Sequence, residues 1–186
     1  IHYNRTDLRG SSMSSTIVIY SSKYGTTELY ANWIAKELKA DLKKISEVKS
    51  YELIYYDTVI FGAPLYIGKL HQYNQMLNTM MLYPPKLFLI FAVGLKDPSE
   101  EYIQVIKKQN NIEDDEVFYF PGKLDYQHLT LLDKFLMRGL KAQIKKHQSL
   151  TDEEQRILNS FNHLVDETNR QFILPLIHYV QKNALL

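Results

Sequence analysis

Six consecutive residues, Ser22-Lys23-Tyr24-Gly25-Thr26-Thr27, hold the densest set of ligand-binding groups in the chain. The hydroxyls of Ser22, Thr26 and Thr27 can donate hydrogen bonds, and Gly25 lets the backbone approach a ligand closely. These residues lie between elements of opposite period. Thr16-Ile17-Val18-Ile19-Tyr20 is β-branched and aromatic, too short for an ordinary helix, and suits a strand buried on both faces of a parallel sheet. Glu28 to Leu38 has helical spacing, with Leu29, Trp33, Ile34 and Leu38 on a stripe that would face the sheet. Strand, hydroxyl-rich turn and helix together make an anion site. The first amides of a helix lack internal partners, and its dipole leaves partial positive charge there. The turn therefore reads as a phosphate cradle; the alternative is an ordinary serine-rich turn with an N-cap threonine.

The kind of cradle is narrowed by what the turn lacks. It contains neither the Gly-x-x-x-x-Gly-Lys-Ser/Thr string of a nucleotide-hydrolysing loop nor the Gly-x-Gly-x-x-Gly of a dinucleotide fold. It resembles the first loop of the flavodoxin family, Thr/Ser-x-Thr-Gly-Asn-Thr, which wraps the phosphate of flavin mononucleotide (FMN). Ser22, Gly25 and Thr27 match, while Tyr24 replaces the middle threonine and Thr26 the asparagine. The departures remove one or two side-chain contacts and leave the backbone contacts in place. The resemblance implies FMN as cofactor, with residues 22–27 around its phosphate.

Other segments must position that turn. Asp41 to Ile45 reads as an edge strand, and Ser46 to Ile54 as a short helix. Thr58 to Gly62, Lys86 to Gly94 and Val117 to Phe120 read as strands, with helical patterns at Leu70 to Met81 and Ser99 to Gln109. Such alternation predicts an α/β fold with a doubly wound parallel sheet. The flavodoxin resemblance implies five strands in the order 2-1-3-4-5.

This architecture binds ligands beyond the carboxyl ends of its strands, so two more loops should join the cradle. Ala63-Pro64-Leu65-Tyr66-Ile67-Gly68 follows the third strand. In flavodoxin relatives this loop covers the isoalloxazine, often by stacking, which makes Tyr66 the candidate. The plain alternative is a proline turn with a surface tyrosine, in a chain with 14 tyrosines. Val93-Gly94-Leu95 follows the fourth strand, and Gly94 would admit the flavin pyrimidine edge; the alternative is a simple strand exit.

Composition bounds the function classes. The chain has 186 residues, 45% of them hydrophobic, which suits one domain. Residues 1–12 are polar and patternless and read as a leader, with the domain running over 13–186. The absence of cysteine excludes disulfides and thiolate chemistry and points to the cytoplasm. A net charge of +1 gives no footprint for nucleic acid, and no apolar run has the length of a transmembrane segment. A phospho-receiver would need acidic residues where Phe61-Gly62-Ala63 and Ser21-Ser22-Lys23 stand. His71, His128, His147, His163 and His178 are too scattered to promise a metal site, and no Gly-x-Ser-x-Gly elbow supports hydrolysis.

The last third departs from a minimal flavodoxin, and 123–165 reads as a helical insertion. Leu129, Leu131, Leu132, Phe135, Leu136, Met137 and Leu140 cover more than one helix face. That width predicts burial against the domain or a second subunit rather than a substrate lid. Thr151 and Glu154 form a capping box that opens a helix to about Val165, and Phe172 to Val180, containing Pro175, supplies the last helix. Over most of 16–182 the chain resembles the menaquinone-dependent protoporphyrinogen IX dehydrogenase family. The likeness is best at the strands, at Gly62 to Gly68, and at Gly122-Lys123-Leu124 leading to Asp133-Lys134-Phe135-Leu136. Asp125-Tyr126-Gln127-His128-Leu129 stands where that family is rich in arginine and aromatics. This resemblance implies an FMN oxidoreductase whose partner is a quinone or a redox protein, with peripheral membrane contact and a homodimer as further expectations.

With a sequence pI near 8, Lys23, Lys69, Lys96 and Lys123 beside the site loops would favour an anionic reduced flavin and hence two-electron transfer. No side chain is an evident acid or base; Tyr66, Asp125, Tyr126 and His128 qualify by position only. Three readings stand: an FMN enzyme, an FMN electron carrier, and a cofactor-free binding domain for which Tyr24 is the pointer.

Overall fold

The computed structural model describes residues 16–183, so the expected leader at 1–12 lies outside the described residues. The chain opens with β1 (Thr16–Tyr20), α1 (Thr26–Leu38) and β2 (Asp41–Lys44), followed by 3₁₀ turns at Ile45–Glu47 and Ser50–Tyr55. Next come β3 (Thr58–Tyr66), β4 (Lys69–Leu70), α2 (Tyr73–Met80), β5 (Leu87–Gly94), α3 (Glu100–Asn110) and β6 (Glu116–Pro121). The long strands pair in parallel in the order β2-β1-β3-β5-β6, the doubly wound order expected from the sequence.

Alternation along the strands sends side chains to two cores. Ile17, Ile19, Val59, Phe61 and Ile90 meet Tyr73 and Met76 of α2 and Ile106 of α3 on one face. Val18, Ile60, Leu89, Phe91 and Phe120 meet Tyr30 and Ile34 of α1 and a C-terminal helix on the other.

Several bounds differ from the sequence expectation, each for a local reason. Helix α1 begins at Thr26 rather than Glu28, because Gly25 takes φ 87° and serves as its N-cap. The short helix expected at 46–54 is a pair of 3₁₀ turns, the second held by a Glu52 carboxylate that accepts from the Lys49 amide at 3.0 Å. Helix α2 starts at Tyr73 because Leu70 is taken by β4.

The largest correction concerns the second site loop. Residues Ala63 to Tyr66 are strand, not loop: β3 runs on past Gly62, pairing Ala63 with Ala92 and Pro64 with Val93. Gly-Ala-Pro reads as a strand end because proline cannot donate to a ladder. Here β1 has already stopped opposite Gly62, so the far side of β3 is an edge. The Pro64 carbonyl accepts from the His71 amide at 3.1 Å on that side, which turns the missing N–H away from β5. Only Ile67 and Gly68, both at positive φ, form the turn into β4.

Past β6 the chain makes an excursion: β7 (Lys123–Leu124), a 3₁₀ turn at Tyr126–His128, α4 (Leu131–Ile144), α5 (Asp152–Asn159) and β8 (Val165–Asp166). Strands β7 and β8 pair antiparallel, Lys123 with Asp166 and Leu124 with Val165, and close the excursion at its base. The Thr151–Glu154 capping box forms, yet α5 ends at Asn159 because Val165 belongs to β8. A 3₁₀ turn at Arg170–Ile173 leads into α6 (Leu174–Asn183), with Pro175 in its first turn, where a missing N–H costs nothing.

Helix α4 does not bury its apolar face on the domain, the first of the two coverings expected for it, the other being a second subunit. Leu131, Leu132 and Phe135 are 87%, 66% and 72% exposed. The buried residues of α4 are Asp133 and Ile144. A polar contact, not an apolar stripe, seats this helix on the domain.

Candidate functional site

The site is built where β1 ends. The Ser21 amide donates to the Gly62 carbonyl at 2.8 Å, and the chain then turns away from the sheet. The Gly25 amide donates to Ser22 Oγ at 3.1 Å. The first helical bond of α1 runs from the Leu29 amide to the Gly25 carbonyl at 2.9 Å, so the amides of Thr26, Thr27 and Glu28 have no helix carbonyl to bond. No side chain caps this end, and a Cβ built on Gly25 would meet nothing within 4 Å. Uncapped amides at the positive end of a 13-residue helix, with open space at their glycine and hydroxyls beside them, fit a phosphate monoester.

Behind the turn, Ser21 Oγ lies 2.6 Å from His71 Nδ1 and donates to Gln72 Oε1 at 2.6 Å, tying β1 to the segment after β4. Burial, and then the Lys23 charge, push the His71 pKa down, so this imidazole is neutral near pH 7.

The cradle is also touched from a distance. Lys23 Nζ is 2.7 Å from Asp133 Oδ2, and the Tyr24 hydroxyl donates to the same oxygen while accepting from the Thr130 amide at 3.2 Å. The Lys23 ammonium also lies 5.1 Å from the Tyr66 ring centroid and 5.5 Å from that of Tyr24. Asp133 is 4% exposed. Burial works to raise its pKa, but the hydrogen bonds from Lys23 and Tyr24 outweigh it and hold the carboxyl below the usual range. The same contact raises the Lys23 pKa. The other carboxylate oxygen, Oδ1, is buried and has no hydrogen-bond partner.

Above the sheet lies a cavity of about 720 Å³. Among its walls are Ser22, Lys23, Tyr24, Thr26 and Thr27 from the cradle, Pro64, Leu65, Tyr66, Ile67 and Gly68 from the end of β3, and Val93, Gly94 and Leu95 from the end of β5. Of the residues expected at the site, Gly25 and Ala63 are not walls. Ala63 is fully buried in the ladder with Ala92. Gly94 has a packing role: a Cβ there would come within 2.9 Å of the Tyr119 hydroxyl, which donates to the Lys96 carbonyl.

Sequence reasoning missed the opposite wall: Leu124 and Leu129 of the excursion and Asp133, Phe135, Leu136 and Leu140 of α4. The available signal was a lone acid on the stripe of α4 that faces the domain. Asp125, Tyr126 and His128 are not walls; Asp125 and His128 bond each other at 2.7 Å, and Tyr126 packs at a tilt against Phe161, 4.4 Å between centroids.

The positive field expected from four lysines is also reduced. Lys23 pairs with Asp133, Lys96 with Glu153 at 3.4 Å and Lys123 with Asp166 at 3.7 Å, while Lys69 Nζ donates to the Gln109 carbonyl.

Fold and site together define a doubly wound α/β domain with an uncapped helix N-terminus at its switch point. The chain belongs to the flavodoxin domain family, whose model matches residues 17–152. Among solved structures it is similar to an archaeal flavodoxin, at 14% identity over 89% of this chain and 98% of that one, with a TM-score of 0.44. It is similar also to oxidised flavodoxin 1 from Bacillus cereus, at 20% identity over 72% and 99% and a TM-score of 0.42. Two-electron reduced Megasphaera elsdenii flavodoxin aligns at 17% identity over 56% and 82%, with a TM-score of 0.40. No curated protein matches the chain at a significant level.

Proposed function

We propose that this protein binds FMN and passes electron pairs between redox partners, one of them an apolar molecule of the quinone class. The observation that carries the reading is the uncapped α1 N-terminus opening, beside Ser22 and Thr27, into a cavity with an apolar far wall. The amides of Thr26, Thr27 and Glu28 and the hydroxyls of Ser22 and Thr27 would hold the phosphate. Tyr66 would lie against the ring system. Leu95, Leu124, Phe135 and Leu136 would exclude water and offer an apolar partner a surface, which supports a quinone over a charged protein surface. When bound, the flavin supplies the hydride and electron chemistry. Because three of the four site lysines are paired, the two-electron preference rests more on a quinone as partner, which takes up two electrons, than on positive charge.

One feature favours a second reading, a cofactor-free binding domain: Asp133 already engages Lys23 and Tyr24 at the cradle. A visible spectrum of the purified chain and titration with FMN separate the two. At FMN a hundredfold above Kd, linkage predicts about 2.7 kcal/mol of stabilisation, or a rise in melting temperature of about 5–10 °C. An unmoved melting temperature and no flavin absorbance would leave the cofactor-free reading. Thr27→Val, which removes one hydroxyl from a buried position at nearly constant shape, should lower FMN affinity about 2- to 12-fold by fluorescence titration.

A further inference from the structure

Asp133 is a wall of the cavity whose bonding is incomplete. It reaches the cradle from the first turn of α4, at a separation of 109 positions from Tyr24. Its Oδ2 is fully used by Lys23 and Tyr24, yet Oδ1 is buried and bonds nothing. Buried carboxylate oxygens are nearly always bonded, and an unfilled acceptor is a standing cost to the fold. Asp133 lines the same cavity as Ser22, Thr26 and Thr27. A group arriving there must be a hydrogen-bond donor, because a carboxylate can only accept.

The carboxylate does not plug the cradle. Its bonds go to the side chains of Lys23 and Tyr24, and the amides of Thr26, Thr27 and Glu28 are left for an anion. The Lys23 charge offsets that of Asp133, so the pair sets no net negative charge against a phosphate. In a phosphorylated polyol, the first donors met on moving away from the phosphate are the chain hydroxyls.

We propose that Asp133 reads the polyol chain of the ligand: the carboxylate turns on binding so that Oδ1, closed off in this structure, accepts a hydrogen bond from a ribityl hydroxyl while Oδ2 stays on Lys23 and Tyr24. This rests on the FMN reading and adds to it a specificity residue contributed by the excursion after β6. It also gives α4 a stake in the ligand, since the residue that seats the helix on the domain is the one that would contact the bound chain.

The test compares two ligands on the full chain stripped of flavin: FMN, and a flavin carrying a phosphopentyl chain at N10 in place of ribityl phosphate. Affinities are read by quenching of flavin fluorescence, with no turnover involved. The wild type should prefer FMN by about 10- to 100-fold, the range of one hydrogen bond to a charged acceptor. Asp133→Ala should bring that ratio to within about threefold. A ratio taken within one variant cancels any general loosening of α4. Should the alanine variant fail to fold, Asp133→Asn keeps the shape; it would turn its carbonyl to Lys23 and its amide nitrogen to the ligand, and its ratio should fall as well. Equal ratios in wild type and variants, or tighter FMN binding by Asp133→Ala, overturn this proposal and leave the FMN reading standing. A wild type that binds neither flavin overturns both.

Discussion

Gly62→Ala should destabilise the domain by about 3 kcal/mol or more, a large part of the roughly 5–15 kcal/mol that holds a domain together. A Cβ on Gly62 would lie 1.9 Å from Phe91 Cζ and within 2.5 Å of both Cε atoms. The ring cannot retreat, being fully buried and stacked on Phe120 at 5.4 Å between centroids. Gly62 also cannot move, because it is paired with Tyr20 of β1 on one side and Phe91 of β5 on the other. Overpacking of an interior with no slack costs more than the added methyl returns in burial. Phe91→Leu alone should cost about 1–2 kcal/mol, and in its background Gly62→Ala should cost little, a coupling of about 3 kcal/mol in a double-mutant cycle. Urea denaturation gives all four corners of that cycle. A Gly62→Ala variant within about 0.5 kcal/mol of wild type would mean that β3 and β5 do not pack as described.

That glycine marks the boundary of what the sequence made legible. The strand cores were readable because Thr16 to Tyr20, Thr58 to Phe61 and Leu87 to Val93 are apolar runs with almost no polar interruption, the pattern of strands covered on both faces. The strand, turn and helix around residues 22–27 were readable because they are contiguous, so a local pattern implies a local geometry. The end of β3 was not, since Pro64 argues against a strand unless the neighbouring strand is known to have stopped. Neither was Asp133, whose role depends on Lys23 and Tyr24, more than a hundred positions away. Helix α4 shows a related gap: its wide apolar face predicts burial on the domain or on a second subunit, while within this chain it buries Asp133, at the cradle, and Ile144. Periodicity reports which faces are apolar and says nothing of what will cover them.

Gly25→Val should separate the cradle from the rest of the fold. Gly25 is the N-cap of α1 at φ 87°, a conformation that costs a β-branched residue about 1–3 kcal/mol, so unfolding in urea should shift by that amount. The larger effect is on ligand. The space in front of Gly25 is open, and a valine side chain would stand in it before the unpartnered amides of Thr26, Thr27 and Glu28. A phosphate displaced by an ångström loses several charge-assisted bonds together, so FMN affinity should drop about a hundredfold or more. Gly25→Asn controls for strain, because asparagine tolerates positive φ and should recover much of the stability. Its side chain would still occupy the cradle and compete for the same amides, so affinity should stay at least about tenfold below wild type. If both variants bind FMN as tightly as the wild type, the phosphate does not sit at the head of α1, and the flavin reading loses its anchor.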